Sequence, residues 1–260
     1  MSQRQPDAPA SPPPAQQAQP APLRIPLTRP RWVWAFFTVN VAIWLLMTLA
    51  GGSENGEVLI RFGANVAPLI VEGEIWRLFT ANFLHIGIVH LMFNSYALYV
   101  LGPEAEALFG SPRFIAIYLM SGLSGSIFSF GLHTDVALSA GASTSIFGLV
   151  GALLAFFVRN RRHFGDVGRR RMNHYLFIAV LNLYIGSSVP GIDNLGHIGG
   201  FVGGLMLGWL LCPFYTVEFD GLERRVVDLN SLRNEWLGLA LFVALLIAGV
   251  IGGVVRQSAF

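Results

Sequence analysis

Three apolar stretches of this chain carry hydroxyl, imidazole and amide side chains at spacings that could do chemistry. "SAGASTSIFGLVG" (139–151) holds Ser143, Thr144 and Ser145, "GHIGGFVGG" (196–204) holds His197, and "FLHIGIVHLMFN" (83–94) holds His85, His90 and Asn94. A serine within reach of an imidazole is equipped for nucleophilic acyl transfer, the base taking the hydroxyl proton and later returning it to the leaving group. His90 and Asn94, spaced i and i+4, share one helix face and can both donate to a developing oxyanion. Each residue alone has a plainer use. A hydroxyl at a helix start caps the helix or bonds back to the preceding turn, and a histidine in a membrane helix can be a structural hydrogen-bonding group.

The elements that must hold these residues are membrane-like. The 260 residues are 53% hydrophobic and 12% charged, with 29 glycines, a balance too apolar for an ordinary soluble domain. Residues 1–30 hold nine of the 14 prolines and read as a disordered tail. Seven apolar segments follow, at 32–50, 83–101, 114–132, 141–158, 175–189, 195–212 and 237–255. A spanning helix needs about 20 apolar residues, so the chain is expected to be an all-α polytopic bundle. The single cysteine, Cys212, leaves no partner for an intrachain disulfide and is expected to pack.

Arginine placement gives an orientation. With the N-terminus inside, cytoplasmic segments collect 14 of the 17 basic residues, including Arg159, Arg161, Arg162, Arg169, Arg170 and Arg171, leaving Arg61, Arg77 and Arg256 outside. The second, fourth and sixth segments then all run from outside to inside, which places Ser143, His197, His85, His90 and Asn94 in the outer half. Intramembrane ionisable residues are expensive and usually functional. Faces choose between the serines. His197 shares its face with Gly200, Gly204 and Gly208, a flat stripe, whereas Ser143 shares its face with the bulky Phe147, Val150 and Leu154. Ridge into groove predicts Ser143 against His197, with Ser145, Gly148 and Ala152 turned to another helix.

With these motifs in order, the chain resembles the rhomboid intramembrane serine proteases over roughly residues 30–212. The family marks are Trp76-Arg77 in the first external loop, "HLMFN" with His90 and Asn94 after "FLH" with His85, "GAST" with Gly141 and Ser143, and "GHIGGFVGG" with His197, Gly200 and Gly204. Thr144 departs from the family's Gly-x-Ser-Gly. The resemblance implies a rhomboid-like six-helix core (31–212), a cytoplasmic linker (213–235) and a seventh helix with a short external C-terminus (236–260). It also implies a Ser143–His197 dyad, an oxyanion hole from His90, Asn94 and the Ser143 N–H, and Phe147 packed on the imidazole. Asp193, one turn before His197, is expected to cap its helix.

His85 lies about 140° around the helix from His90, poorly placed to share a metal, and is expected to orient a loop. Trp76-Arg77 suits the membrane interface, the guanidinium snorkelling. The Thr144 hydroxyl is expected to bond a carbonyl of the preceding turn, its bulk narrowing the space beside the nucleophile. No cofactor, metal or nucleic-acid partner is expected. The expected partners are transmembrane substrates and the lipid bilayer, at the plasma membrane. Two other functions compete: a catalytically inactive rhomboid-like protein that binds helices, and a transporter using the histidines as a polar path.

Overall fold

The computed structural model describes residues 27–133, 138–220, 223–230 and 234–259, so most of the proline-rich tail lies outside the described residues. Each expected apolar segment corresponds to a long helix: α1 (Trp32–Leu49), α5 (Gly87–Phe109), α6 (Ser111–Leu132), α7 (Ser143–Arg159), α8 (Arg161–Ser188), α9 (Asn194–Leu210) and α10 (Trp236–Gln257). Between α1 and α5 lie three short helices, α2 (Gly56–Phe62), α3 (Ala67–Val71) and α4 (Arg77–Thr80), and a 3₁₀ turn at Ala81–Phe83. The expected all-α bundle is what the chain forms.

Three of the helices, α1, α6 and α10, are long and apolar enough to cross a membrane, and the pair Arg77–Phe83 and Gly87–Phe109, bent by 87°, makes a fourth. Helix α7 is apolar but shorter. Its short length matches its position, because α7 is buried along almost its whole length by α6, α8 and α9. The outer faces of α5, α8 and α10 instead expose large apolar side chains such as Phe93, Phe177 and Leu245. This pattern suits a hydrocarbon solvent.

Three boundaries differ from expectation. The second segment starts later and runs to Phe109, because the chain bends between Phe83 and Gly87. Helix α8 begins at Arg161, through the arginine cluster, and is broken at Gly165 (φ 48°, ψ −129°). Hydropathy could find only the apolar half of α8, since arginines in a solvated helix leave no apolar signal. The linker forms an antiparallel hairpin, β1 (Tyr215–Asp220) with β2 (Glu223–Asp228), pairing Tyr215 with Asp228. Arg113 of α6 ties it down through the Asp228 carboxylate, at 2.6 Å.

The central packing reverses the expected ridge and groove. A side chain at Gly204 would run into the backbone of Gly148, and one at Gly208 into Ala152. On the other side, a side chain at Gly151 would meet the backbone of Phe201 and Leu205. Helices α7 and α9 therefore meet backbone to backbone through small residues on both, the approach favoured in lipid. Helix α6 joins them with Gly125 against Gly196 and Gly199, and the Ser124 hydroxyl donates to the Gly199 carbonyl at 3.1 Å.

At the opposite end, Glu106 of α5 accepts from the N–H groups of Arg31, Trp32 and Val33 at 3.0–3.1 Å, capping the start of α1. Helix α10 lies along α6. Arg256 donates to the Gly131 carbonyl, and Gln257 donates to the Phe130 and His133 carbonyls at 2.8 and 2.7 Å.

Candidate active site

The segment before α7 is held on both sides. Ser139 pairs with Asn65 as an isolated antiparallel bridge, its N–H reaching the Asn65 carbonyl at 3.0 Å. The Gly141 N–H donates to the Ala81 carbonyl at 2.9 Å. Gly141 has φ +145°, and a Cβ there would lie 2.7 Å from His90 Cε1 and 2.8 Å from Nε2. Glycine is required twice over, by the backbone and by the close approach of the imidazole. Ser143 is the first residue of α7, and no side chain caps that helix.

The Ser143 hydroxyl is thus free of capping duty, and Oγ lies 2.8 Å from His197 Nε2. His197 sits one turn into α9, whose N-cap is Asp193, the carboxylate accepting from the Gly196 N–H at 2.7 Å. Its ring stacks on Phe147, centroids 4.3 Å apart and planes 14° from parallel. Phe147 follows Ser143 by one turn, so one helix supplies both the hydroxyl and the plate that fixes the imidazole.

Among the described residues, no carboxylate is hydrogen-bonded to the histidine. His197 Nδ1 has no hydrogen-bond partner among the described residues. The Asp193 carboxylate is committed elsewhere, to Gly196 N–H, to the Ser139 hydroxyl at 2.6 Å and to His133 Nε2 at 3.3 Å. Burial pushes the Asp193 carboxyl up, but hydrogen bonds from Ser129, Ser139, the Gly196 N–H and His133 outweigh it and hold the group below its ordinary value.

The α5 residues converge on the same place in part. His90 turns its Cε1–Nε2 edge toward Gly141, beside Ser143, and its Nδ1 accepts from the Ile86 N–H at 3.4 Å. The Asn94 amide instead donates to the His90 carbonyl of its own helix at 3.1 Å. Fully buried, His85 lies 5.4 Å from the His90 ring, centroid to centroid. Gly200 and Gly204 act at one remove, by letting α9 close on α7.

Trp76 and Arg77 differ from the interfacial pair expected. Trp76 is exposed, but Arg77 is buried rather than snorkelling. Its guanidinium takes Glu74 at 2.6 Å and donates to the carbonyls of Ile60 and Ala64 at 2.6 and 3.3 Å. It stitches the first loop together, because folded-back carbonyls of that loop need a donor. Thr144 also departs from expectation. Its hydroxyl donates to the Asn82 side-chain carbonyl and not to its own preceding turn. Its methyl faces Gly125 and Gly196. Ser145 is buried against Gly122 of α6, as expected. Asn82 and Asn65 were not singled out in the sequence. The signal that could have found Asn82 was the Thr144 hydroxyl, which in lipid needs a partner.

A family model for the rhomboid domain matches residues 72–214, which include Ser143, His197, His90, Asn94 and Phe147. The chain belongs to the rhomboid family. It is 39% identical over 223 residues to rhomboid protease GluP of Bacillus subtilis (strain 168), covering 85% of this chain and 41% of that protein. It is 39% identical over 167 residues to RHOMBOID-like protein 7 of Arabidopsis thaliana (64% of this chain, 52% of that protein). Rhomboid-like protease 1 of Toxoplasma gondii is 30% identical over 178 residues (68% and 60%). The chain thus spans about two fifths to three fifths of the length of these relatives. Family and apolar helices together make it a multi-pass membrane protein.

Proposed function

We propose that the chain is an intramembrane serine endopeptidase that cleaves transmembrane segments of other proteins with a Ser143–His197 dyad. The observation that carries this is the 2.8 Å approach of Ser143 Oγ to His197 Nε2 beneath a stacked Phe147. His197 Nε2 takes the hydroxyl proton as Oγ attacks a peptide carbonyl, and delivers it to the departing amine. Water then adds to the acyl-enzyme carbonyl with His197 again as base, and Ser143 leaves with its proton restored. Phe147 fixes the ring plane in place of a carboxylate partner. The Ser143 N–H and His90, whose Cε1–Nε2 edge lies beside Gly141, supply donors to the oxyanion. Asn94 joins them on exchanging its intrahelical bond for the substrate oxygen.

The names of GluP and of the Toxoplasma relative as proteases support the same activity. The arginine placement supports an N-terminus on the cytoplasmic side and a C-terminus and cleavage site on the opposite side, which we assign to the plasma membrane. The hydroxyl hydrogen-bonded to a stacked imidazole favours catalysis over a helix-binding role without it.

The test is labelling of the purified chain by a fluorophosphonate probe. Wild type should take label at Ser143, and Ser143→Ala should take none. Equal labelling of both would reject the dyad.

A further inference from the structure

Two residues bracket Ser143 and both bond to the same short turn. Gly141 donates its N–H to the Ala81 carbonyl at 2.9 Å, and Thr144 donates its hydroxyl to Asn82 Oδ1. Asn82 has no freedom to reverse its amide. Its Nδ2 is committed to the Leu78 carbonyl at 2.9 Å, the Phe79 carbonyl at 3.2 Å and Ser126 Oγ at 3.0 Å. Oδ1 is therefore an acceptor aimed at Thr144, and both residues are buried.

The space for this pair is built by glycines. A Cβ at Gly125 would lie 2.7 Å from Thr144 Cβ, one at Gly196 would lie 3.1 Å from Thr144 Cγ2, and one at Gly122 would lie 2.8 Å from Asn82 Oδ1. The turn at 81–83 also begins the bent connection into α5, which carries His90.

We propose that Thr144 and Asn82 form a positioning pair, locking the first turn of α7 to the 3₁₀ turn that leads into α5 so that Ser143 Oγ is held between His197 and His90. The inference rests on the protease function proposed above. It makes Thr144, which departs from the Gly-x-Ser-Gly pattern the resemblance implies, a working part of this chain's site. Both residues are buried and act as positioning residues. The pair acts by fixing the nucleophile, and a nucleophile displaced by about 1 Å can lose on the order of 10² in rate.

The experiment measures probe-labelling rate at Ser143, and kcat and KM on a transmembrane substrate, for four variants. Thr144→Val keeps the shape and removes the donor. It should slow labelling and kcat by about ten- to a hundredfold, with KM unchanged, and Thr144→Ser should restore most of the rate. Thr144→Val leaves Asn82 Oδ1 buried without a donor, so its fold is at risk. Thr144→Val combined with Asn82→Ala removes the orphaned acceptor as well, and should be no slower than Asn82→Ala alone. Full labelling speed in Thr144→Val, or in the double variant, overturns the pair while leaving the dyad intact. A wild-type chain that takes no label overturns both.

Discussion

Ser143, rather than Ser145, carries the hydroxyl that meets the imidazole, and the two serines differ in everything but type. Ser145 packs on α6 with its Oγ unpartnered among the described residues, so Ser145→Ala should leave cleavage of a model transmembrane substrate nearly intact. Ser143→Ala and His197→Ala should each take it below detection. A dead Ser145→Ala beside an active Ser143→Ala would reassign the nucleophile. Asp193 gives a prediction in pH. Its folded carboxyl lies below the ordinary value, so the charged form is favoured in the native protein. The stability it contributes is fully present above the unfolded carboxylate range, about 3.9, and is lost as pH falls through the lower folded value. Thermal stability in detergent should therefore hold at neutral pH and fall in strong acid. Asp193→Asn should be less stable at pH 7 and flatter below it. Parallel acid profiles for the two proteins would show that another carboxylate governs the loss.

Between helices, the contact that matters is α7 on α9, and here the sequence was legible in its parts but misleading in their assembly. The glycine stripe on α9 and the small residues of α7 were both visible, yet pairing the stripe with Phe147, Val150 and Leu154 was wrong. Phe147 does reach α9, but by stacking on the His197 imidazole and not by entering the glycine stripe, which meets Gly148 and Ala152. Close approach of two backbones needs small residues on both helices, which a single-helix face pattern does not reveal. Ser143 still meets His197 because both stand at the head of that seam. The buried Arg77 depends on the Ile60 and Ala64 carbonyls of a folded-back loop, and the first half of α8 is hidden because its arginines leave no apolar signal. A prediction belongs to this scale. Gly204→Ala places a methyl on the Gly148 backbone, which cannot move aside, and should cost about 1–3 kcal/mol along with activity. Gly252→Ala meets nothing within 4 Å and should be neutral or gain up to about 1 kcal/mol. Thermal unfolding of the two variants in the same detergent checks the contrast, and equal losses would mean that α7 and α9 do not close through Gly204.

For the whole molecule, the decisive relation is which groups share an end of the bundle. Helices α7 and α9 begin where α6 and α10 finish: Asp193 at the head of α9 bonds Ser139 and reaches the His133 ring at the close of α6, and Gln257 donates to the backbone carbonyl of the same His133. The heads of Ser143 and His197 and the tail of α10 are thus on one side. The arginine cluster from Arg159 to Arg171, at the far end of α7, is on the other. Positive charge in short flanking segments selects the cytoplasmic side, so the cluster should face the cytoplasm, and the site and C-terminus should face outward. A reporter fused after Phe260 should be accessible from outside intact cells, and a cysteine placed at Asp166 should react only after permeabilisation. The two results test different things. If both positions are cytoplasmic, α10 does not dock along α6 as described, and Gln257→Ala should then leave thermal stability unchanged. If both are reversed together, the bundle stands but is inserted the other way up, and cleavage must fall in the cytoplasmic half of a substrate helix.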